Sequence, residues 1–159
     1  MKCVLSFILV LVFSFSVTSV DSEMLFVRSY SVLEDRVLET IYRECAFYGL
    51  DPHLIVSQIY VESSFRSHVV SHKGAIGLMQ IMPDTGRYLA KRLGITIYNL
   101  YCPITNVKMG IFYMSLLVNR FGDYETALSA YFWGQTRVAK NKEKYRSTAY
   151  SKKVMNARW

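Results

Sequence analysis

The chain has 159 residues, 19 basic against 12 acidic, for a formal net charge of +7. That length supports one domain around one core and excludes a multidomain assembly. The positive balance suits an anionic polymer, and on charge alone a cell wall and a nucleic acid are equally served.

Residues 1–20 stand apart. Met1-Lys2 gives a positive start, residues 3–17 are almost wholly apolar apart from serines, and Val17-Thr18-Ser19 offers small side chains for cleavage. This pattern predicts a secretory signal peptide removed between Ser19 and Ser22. The apolar run is too short to cross a bilayer comfortably, and an uncleaved anchor is the alternative. Cys3 precedes the run, out of place for the lipid-bearing first residue of a mature lipoprotein. Export argues against a nucleic-acid partner. It places the mature chain in the periplasm or outside the cell, with no transmembrane segment left. There Cys45 and Cys102 remain, and an oxidising compartment permits them to pair, with two unlinked thiols as the alternative.

Residues 21–30 read as an N-terminal lead-in to a domain over 31–159. Ser31 and Glu34 form a capping-box pattern, followed by Leu33, Val37, Ile41 and Cys45 on one helical face, and Gly49 as the stop. Asp51-Pro52 opens a second helix with an N-cap and a proline at the first position. Leu54, Ile55, Val56, Ile59 and Val61 leave that helix apolar around much of its circumference, as a central element would be. Glu62 sits at its C-terminal end. Residues 63–73 lack a periodic apolar pattern and read as a loop.

Pro83 opens a third helix that runs to Leu93 before Gly94, and Pro103 opens a fourth that ends at Phe121-Gly122. Asp123 caps a fifth containing Ala127, Leu128 and Tyr131. A basic, polar segment from Arg137 to Arg146 follows, and Ser147 caps a last short helix burying Tyr150, Val154 and Met155. Nothing reads as a strand longer than a few residues. The expected architecture is a compact all-α domain of about six helices.

Glu62 is the residue with chemistry to offer. An apolar helix before it holds the carboxyl near the core, where burial disfavours the charged form, and the negative end of the helix dipole works in the same direction. Both keep a general acid protonated near neutral pH; an exposed helix-terminal carboxylate is the plainer reading of the same position. Gly74 and Gly77 are either turn residues or places where the backbone comes close to something. Leu78, Met79, Ile81 and Met82 look like core. Gln80 among them is either held by local hydrogen bonds or faces a polar ligand. Ser63 and Ser71 are candidates to hold the glutamate or the loop. As nucleophiles they lack a histidine–carboxylate pairing. His53, His68 and His72, with the two cysteines, match no zinc spacing, so neither metal nor cofactor is expected.

The stretch Glu62-Ser63-Ser64-Phe65, then Gly74-Ala75 and Gly77-Leu78-Met79-Gln80 with Pro83 and Thr85, resembles the goose-lysozyme-like, SLT-domain lytic transglycosylases of bacterial peptidoglycan. The likeness continues through Asn106, Gly110 and Tyr113, then Ala127, Leu128, Ala130 and Tyr131, and a final tyrosine at Tyr150. These ordered matches cover nearly the whole mature chain. One position departs from the pattern: Phe132 stands where the family commonly has asparagine, and it offers neither donor nor acceptor.

The resemblance implies a lysozyme-like helical fold around a substrate cleft. It also implies Glu62 as the one catalytic residue, with Ser63, Ser71, Gly74, Gly77, Met79, Gln80, Tyr113, Tyr131, Phe132 and Tyr150 binding substrate or supporting the site. Glu62 would protonate the glycosidic oxygen between N-acetylmuramic acid and N-acetylglucosamine. It would then take the proton from the C6 hydroxyl as that group attacks C1, giving a 1,6-anhydro end. One carboxyl used twice suffices for this, whereas a glycoside hydrolase ordinarily uses two. The implied partners are peptidoglycan strands and an envelope machine for secretion, pili, conjugation or phage entry, for which a small enzyme without an added wall-binding domain suits local use. A hydrolytic muramidase of the same fold and a non-catalytic wall-binding protein are the alternatives, the second motivated by Phe132.

Overall fold

The computed structural model describes residues 33–157. The expected signal peptide and the lead-in lie outside the described residues, as does Ser31 of the anticipated capping box.

The described chain is built from α1 (Asp35–Tyr48), α2 (Pro52–Ser63), α3 (Pro83–Leu93), α4 (Pro103–Phe121), α5 (Tyr124–Trp133), α6 (Gln135–Lys140), α7 (Lys142–Tyr145) and α8 (Ala149–Asn156). Proline occupies the first turn of α2, α3 and α4, where its missing N–H removes no intrahelical bond. Asp51 caps α2 by accepting from the His53 N–H, and Asp123 caps α5 by accepting from the Thr126 N–H.

Three local expectations need correction. Glu34 is itself the N-cap of α1, without a side-chain cap bond, so it does not occupy the third helical position that a capping box requires. Thr148, not Ser147, caps α8, in a reciprocal capping box with Ser151, while the Ser147 hydroxyl donates to Glu125 Oε1 at 3.2 Å. The basic segment after Gly134 folds into two short helices, α6 and α7, which raises the described total to eight. Six and four residues are too few for an apolar period to register in sequence.

α4 packs against α1 and α5, α5 against α8, and α8 back onto α2. On α2 every residue from Leu54 to Ile59 is buried, which follows from a helix enclosed on several sides. Its Leu54, Ile55 and Ile59 share one continuous core with the fully buried Ile41, Met79, Leu89, Met109, Ile111, Met114 and Leu117. Cys45 and Cys102 are both free thiols. Burial pushes the Cys45 thiol up to about 12, whereas hydrogen bonds from Thr105 draw Cys102 below its ordinary value. Between α2 and α3 the chain makes no strand, only isolated antiparallel bridges pairing Val70 with Ile76 and Ile76 with Ile81.

Candidate active site

The site begins where α2 ends. Ser64 and Phe65 both adopt left-handed backbone, at φ 51° and 62°, which reverses the chain sharply just past Glu62. The Phe65 ring holds the reversal down by packing on the core beside Tyr60, with ring centroids 5.6 Å apart. Ser63 does not reach Glu62. Its hydroxyl donates back to the Ile59 carbonyl at 3.1 Å, and its own carbonyl accepts from the Arg66 backbone and side chain.

The following loop forms one wall of a cleft of about 640 Å³ that includes Glu62, Ser71, Lys73, Gln80, Phe132 and Arg137. Ser71 closes a tight turn: its hydroxyl accepts from the Ala75 N–H at 3.0 Å, and its carbonyl accepts from the Gly74 N–H at 2.8 Å. Gly77, at φ +79°, approaches protein and not open cleft, since a Cβ there would lie 2.4 Å from Asn106 Nδ2 and 2.8 Å from the Leu100 carbonyl oxygen. Gln80 donates through Nε2 to the carbonyls of Gly77, at 2.9 Å, and Val69, at 3.3 Å, and still lines the cleft. Local hydrogen bonds hold Gln80, as one of its two readings has it, at a place that borders the cleft. Met79 is core, with no exposed surface and its side chain against Gly110.

The loop is fixed from behind by Asn106, a fully buried α4 side chain. Its Oδ1 accepts from the Met79 N–H at 2.8 Å, and its Nδ2 donates to the carbonyls of Ile76, at 2.8 Å, and Leu100, at 2.9 Å. From the opposite side the Tyr131 hydroxyl donates to the Met79 carbonyl at 2.7 Å, and the Tyr113 ring lies 5.1 Å from that of Tyr131.

Glu62 faces this assembly with one oxygen already engaged: the Tyr150 hydroxyl of α8 donates to Oε1 at 2.5 Å. Burial pushes the carboxyl up to about 7, against the Tyr150 bond and the charge of Lys153, which both pull it down. Burial also raises the Tyr131 and Tyr150 hydroxyls well above their ordinary values, so both stay protonated donors. Phe132 is 53% exposed and stacks on the Tyr150 ring at 4.7 Å, which places it on the cleft wall and not in the core.

Among the described residues that line this cleft and its extensions, Glu62 is the one acidic side chain. Asp84 is 89% exposed and pairs with Arg87 on the outside of α3. Asp51 caps the far end of α2, roughly 16 Å from Glu62 along the helix axis. Among the described residues no group of His, Cys, Asp and Glu side chains is placed to hold a metal ion.

Sequence reasoning missed Gln58, Asn106, Trp133, Arg137 and Lys153 as members or supports of the site. Asn106 did carry a signal, since it is one of the positions through which the family likeness runs. The others come from helices whose proximity leaves no local trace.

The transglycosylase SLT domain model matches residues 39–154. The transglycosylase of Enterobacteria phage PRD1 is 42% identical over 100 residues, which span 63% of this chain and 36% of that protein. Endo-type membrane-bound lytic murein transglycosylase A of Klebsiella pneumoniae is 42% identical over 79 residues, covering 46% of this chain and 39% of the relative. The chain thus spans well under half the length of these curated relatives. Among solved structures, an inactive mutant of lytic transglycosylase Slt from Pseudomonas aeruginosa aligns with 75% of this chain and 22% of its own, at a TM-score of 0.65 and 27% identity. The 70 kDa soluble lytic transglycosylase of Escherichia coli shares the fold at a TM-score of 0.62 and 24% identity, over 76% of this chain and 22% of that one. With the model matched across most of its length, this chain belongs to the transglycosylase SLT domain family.

Proposed function

We propose that this protein is a peptidoglycan lytic transglycosylase in which Glu62 is both acid and base. The observation that carries the reading is a single carboxyl, raised to about 7 by burial, the one acidic side chain among the described residues that line an open cleft. Protonated Glu62 gives its proton to the β-1,4 glycosidic oxygen between N-acetylmuramic acid and N-acetylglucosamine as the leaving sugar departs. The carboxylate so formed takes the proton of the C6 hydroxyl as that oxygen bonds to C1, closing a 1,6-anhydro ring. No second carboxylate is required, whereas a hydrolase of the ordinary kind uses a pair.

In this reading Gln80, Phe132 and the turn at Ala75, all on the cleft wall, contact the glycan. Tyr150 holds Glu62, while Ser71, Gly77, Met79, Tyr113 and Tyr131 keep the loop in place. Ser63 serves the end of α2. Phe132 replaces a polar contact with an aromatic face that suits stacking on a sugar ring. Expected export and the likeness to a phage transglycosylase support local opening of the wall, in the periplasm or at the cell surface. An envelope machine for phage entry, secretion, pili or conjugation would be the beneficiary.

Purified wall material provides the test. Products should be lighter by one water than those of a muramidase. Glu62→Gln should lower the rate at least about 100-fold while still binding wall fragments, and Asp84→Asn should keep most of the activity. Products of hydrolytic mass would favour a muramidase. An inactive wild type that still binds wall would favour a binding protein, and a fully active Glu62→Gln would remove the site assignment.

A further inference from the structure

One polar group of α2 is not explained by the fold. Gln58 lies one turn before Glu62, has no exposed surface, and carries an Oε1 with no hydrogen-bond partner. Its Nε2 makes a long contact, 3.4 Å, to the Tyr150 hydroxyl, the same hydroxyl that donates to Glu62 Oε1 at 2.5 Å. A buried acceptor without a partner costs free energy, so an apolar side chain of equal length would serve the core better.

We infer that Gln58 is a positioning residue of the Glu62 centre: its amide nitrogen donates to the Tyr150 oxygen and so fixes the tyrosine's hydrogen on Glu62 Oε1. The inference rests on the acid–base role proposed for Glu62. A phenol carries one hydrogen. With Gln58 Nε2 offering a donor, the Tyr150 oxygen is set as acceptor on that side, and its hydrogen points to the carboxyl. The acid's own proton then belongs on Oε2, and it is Oε2 that must deliver it. Without the amide, Tyr150 is free to turn and accept from protonated Glu62, which would tie up the proton that the reaction needs.

The groups facing Glu62 come from several elements. Tyr150 and Lys153 approach from α8 and Tyr131 from α5, while His72, Lys73 and Arg137 stand around the same cleft. Of these groups only Tyr150 bonds to Gln58, so a change in Glu62's titration on substituting Gln58 would report the Gln58–Tyr150 link.

The test is Gln58→Met, which keeps the length and removes the amide, with Gln58→Leu as a second variant. Carboxyl carbon chemical shifts of Glu62 are followed against pH without substrate, beside thermal melts. The titration midpoint should rise by about half a pH unit or more, since a hydrogen bond favouring the carboxylate has been weakened, while the melting temperature holds or increases. In a Tyr150→Phe background the added Gln58→Met should leave the midpoint where Tyr150→Phe alone puts it. An unmoved midpoint, an equal rise in both backgrounds, or loss of folding in both Gln58 variants would overturn the inference. The titration does not depend on glycan cleavage, so its outcome is separate from that of the activity assay.

Discussion

At the scale of single residues, Glu62 sets a conflict between folding and chemistry. A carboxyl titrating at about 7 in the folded chain and at about 4.5 when free binds a proton more tightly folded than unfolded. Below 4.5 both states are protonated and the residue is neutral in the balance. As pH rises, the unfolded chain ionises first, so stability falls through this window and the full penalty is present above 7. Glu62→Gln removes that penalty. Melts of the two proteins should coincide near pH 4 and diverge above it, with the glutamine variant more stable by up to about 3 kcal/mol at pH 8. The sequence marks Glu62 as an acidic residue ending an apolar helix, but an exposed carboxylate is the plainer reading of that pattern, and the family resemblance is what singles it out as the acid. Tyr150 was found only through the family resemblance. Gln58 and Lys153 were not found, since their importance lies in contacts between α2 and α8 that no local pattern records.

Among the elements, the loop between α2 and α3 decides whether a cleft exists. It forms no helix or strand, only turns and isolated bridges bonded within the loop, and Asn106 supplies three further bonds to it and to the chain before α4. Asn106→Ala would strand the buried Met79 N–H and the Leu100 carbonyl, each costing about 1–3 kcal/mol when unsatisfied, while the Ile76 carbonyl keeps the Ile81 N–H. Denaturant unfolding should show a loss of roughly 2–5 kcal/mol with little change in the slope, and wall-fragment binding should weaken with it. Helix ends were the most legible feature here. Pro52, Pro83 and Pro103 mark starts, and Gly49, Gly94 and Gly122 close the helices before them. The short helices α6 and α7 were hidden by their brevity, and the Ser147 cap was misplaced by one residue because its neighbour Thr148 offers the same hydroxyl.

Across the whole molecule, part of the basic excess lies beside the cleft. A groove of about 660 Å³ adjoins it across Trp133 and Arg137, and carries Lys140 and Lys144 with no acidic side chain in its lining. Arg137 lies over the Trp133 ring at 5.7 Å, and Lys144 over the Tyr145 ring at 5.7 Å, so the cations are held against flat faces. An anionic wall polymer should therefore be drawn to this side of the protein. Cosedimentation with purified peptidoglycan should weaken as salt is raised from 50 mM to about 300 mM, across which exposed charges become strongly screened. Replacing Arg137, Lys140 and Lys144 together by glutamine should flatten that dependence while leaving the fold intact.

The two unlinked thiols carry a consequence for where such a chain can fold. No covalent cross-link joins the described helices, so their cohesion comes from apolar burial and a few buried amides. A fold held in this way is indifferent to the redox state around it. It assembles as readily among reducing thiols as in an oxidising space, and needs no disulfide-forming catalyst on either side of a membrane.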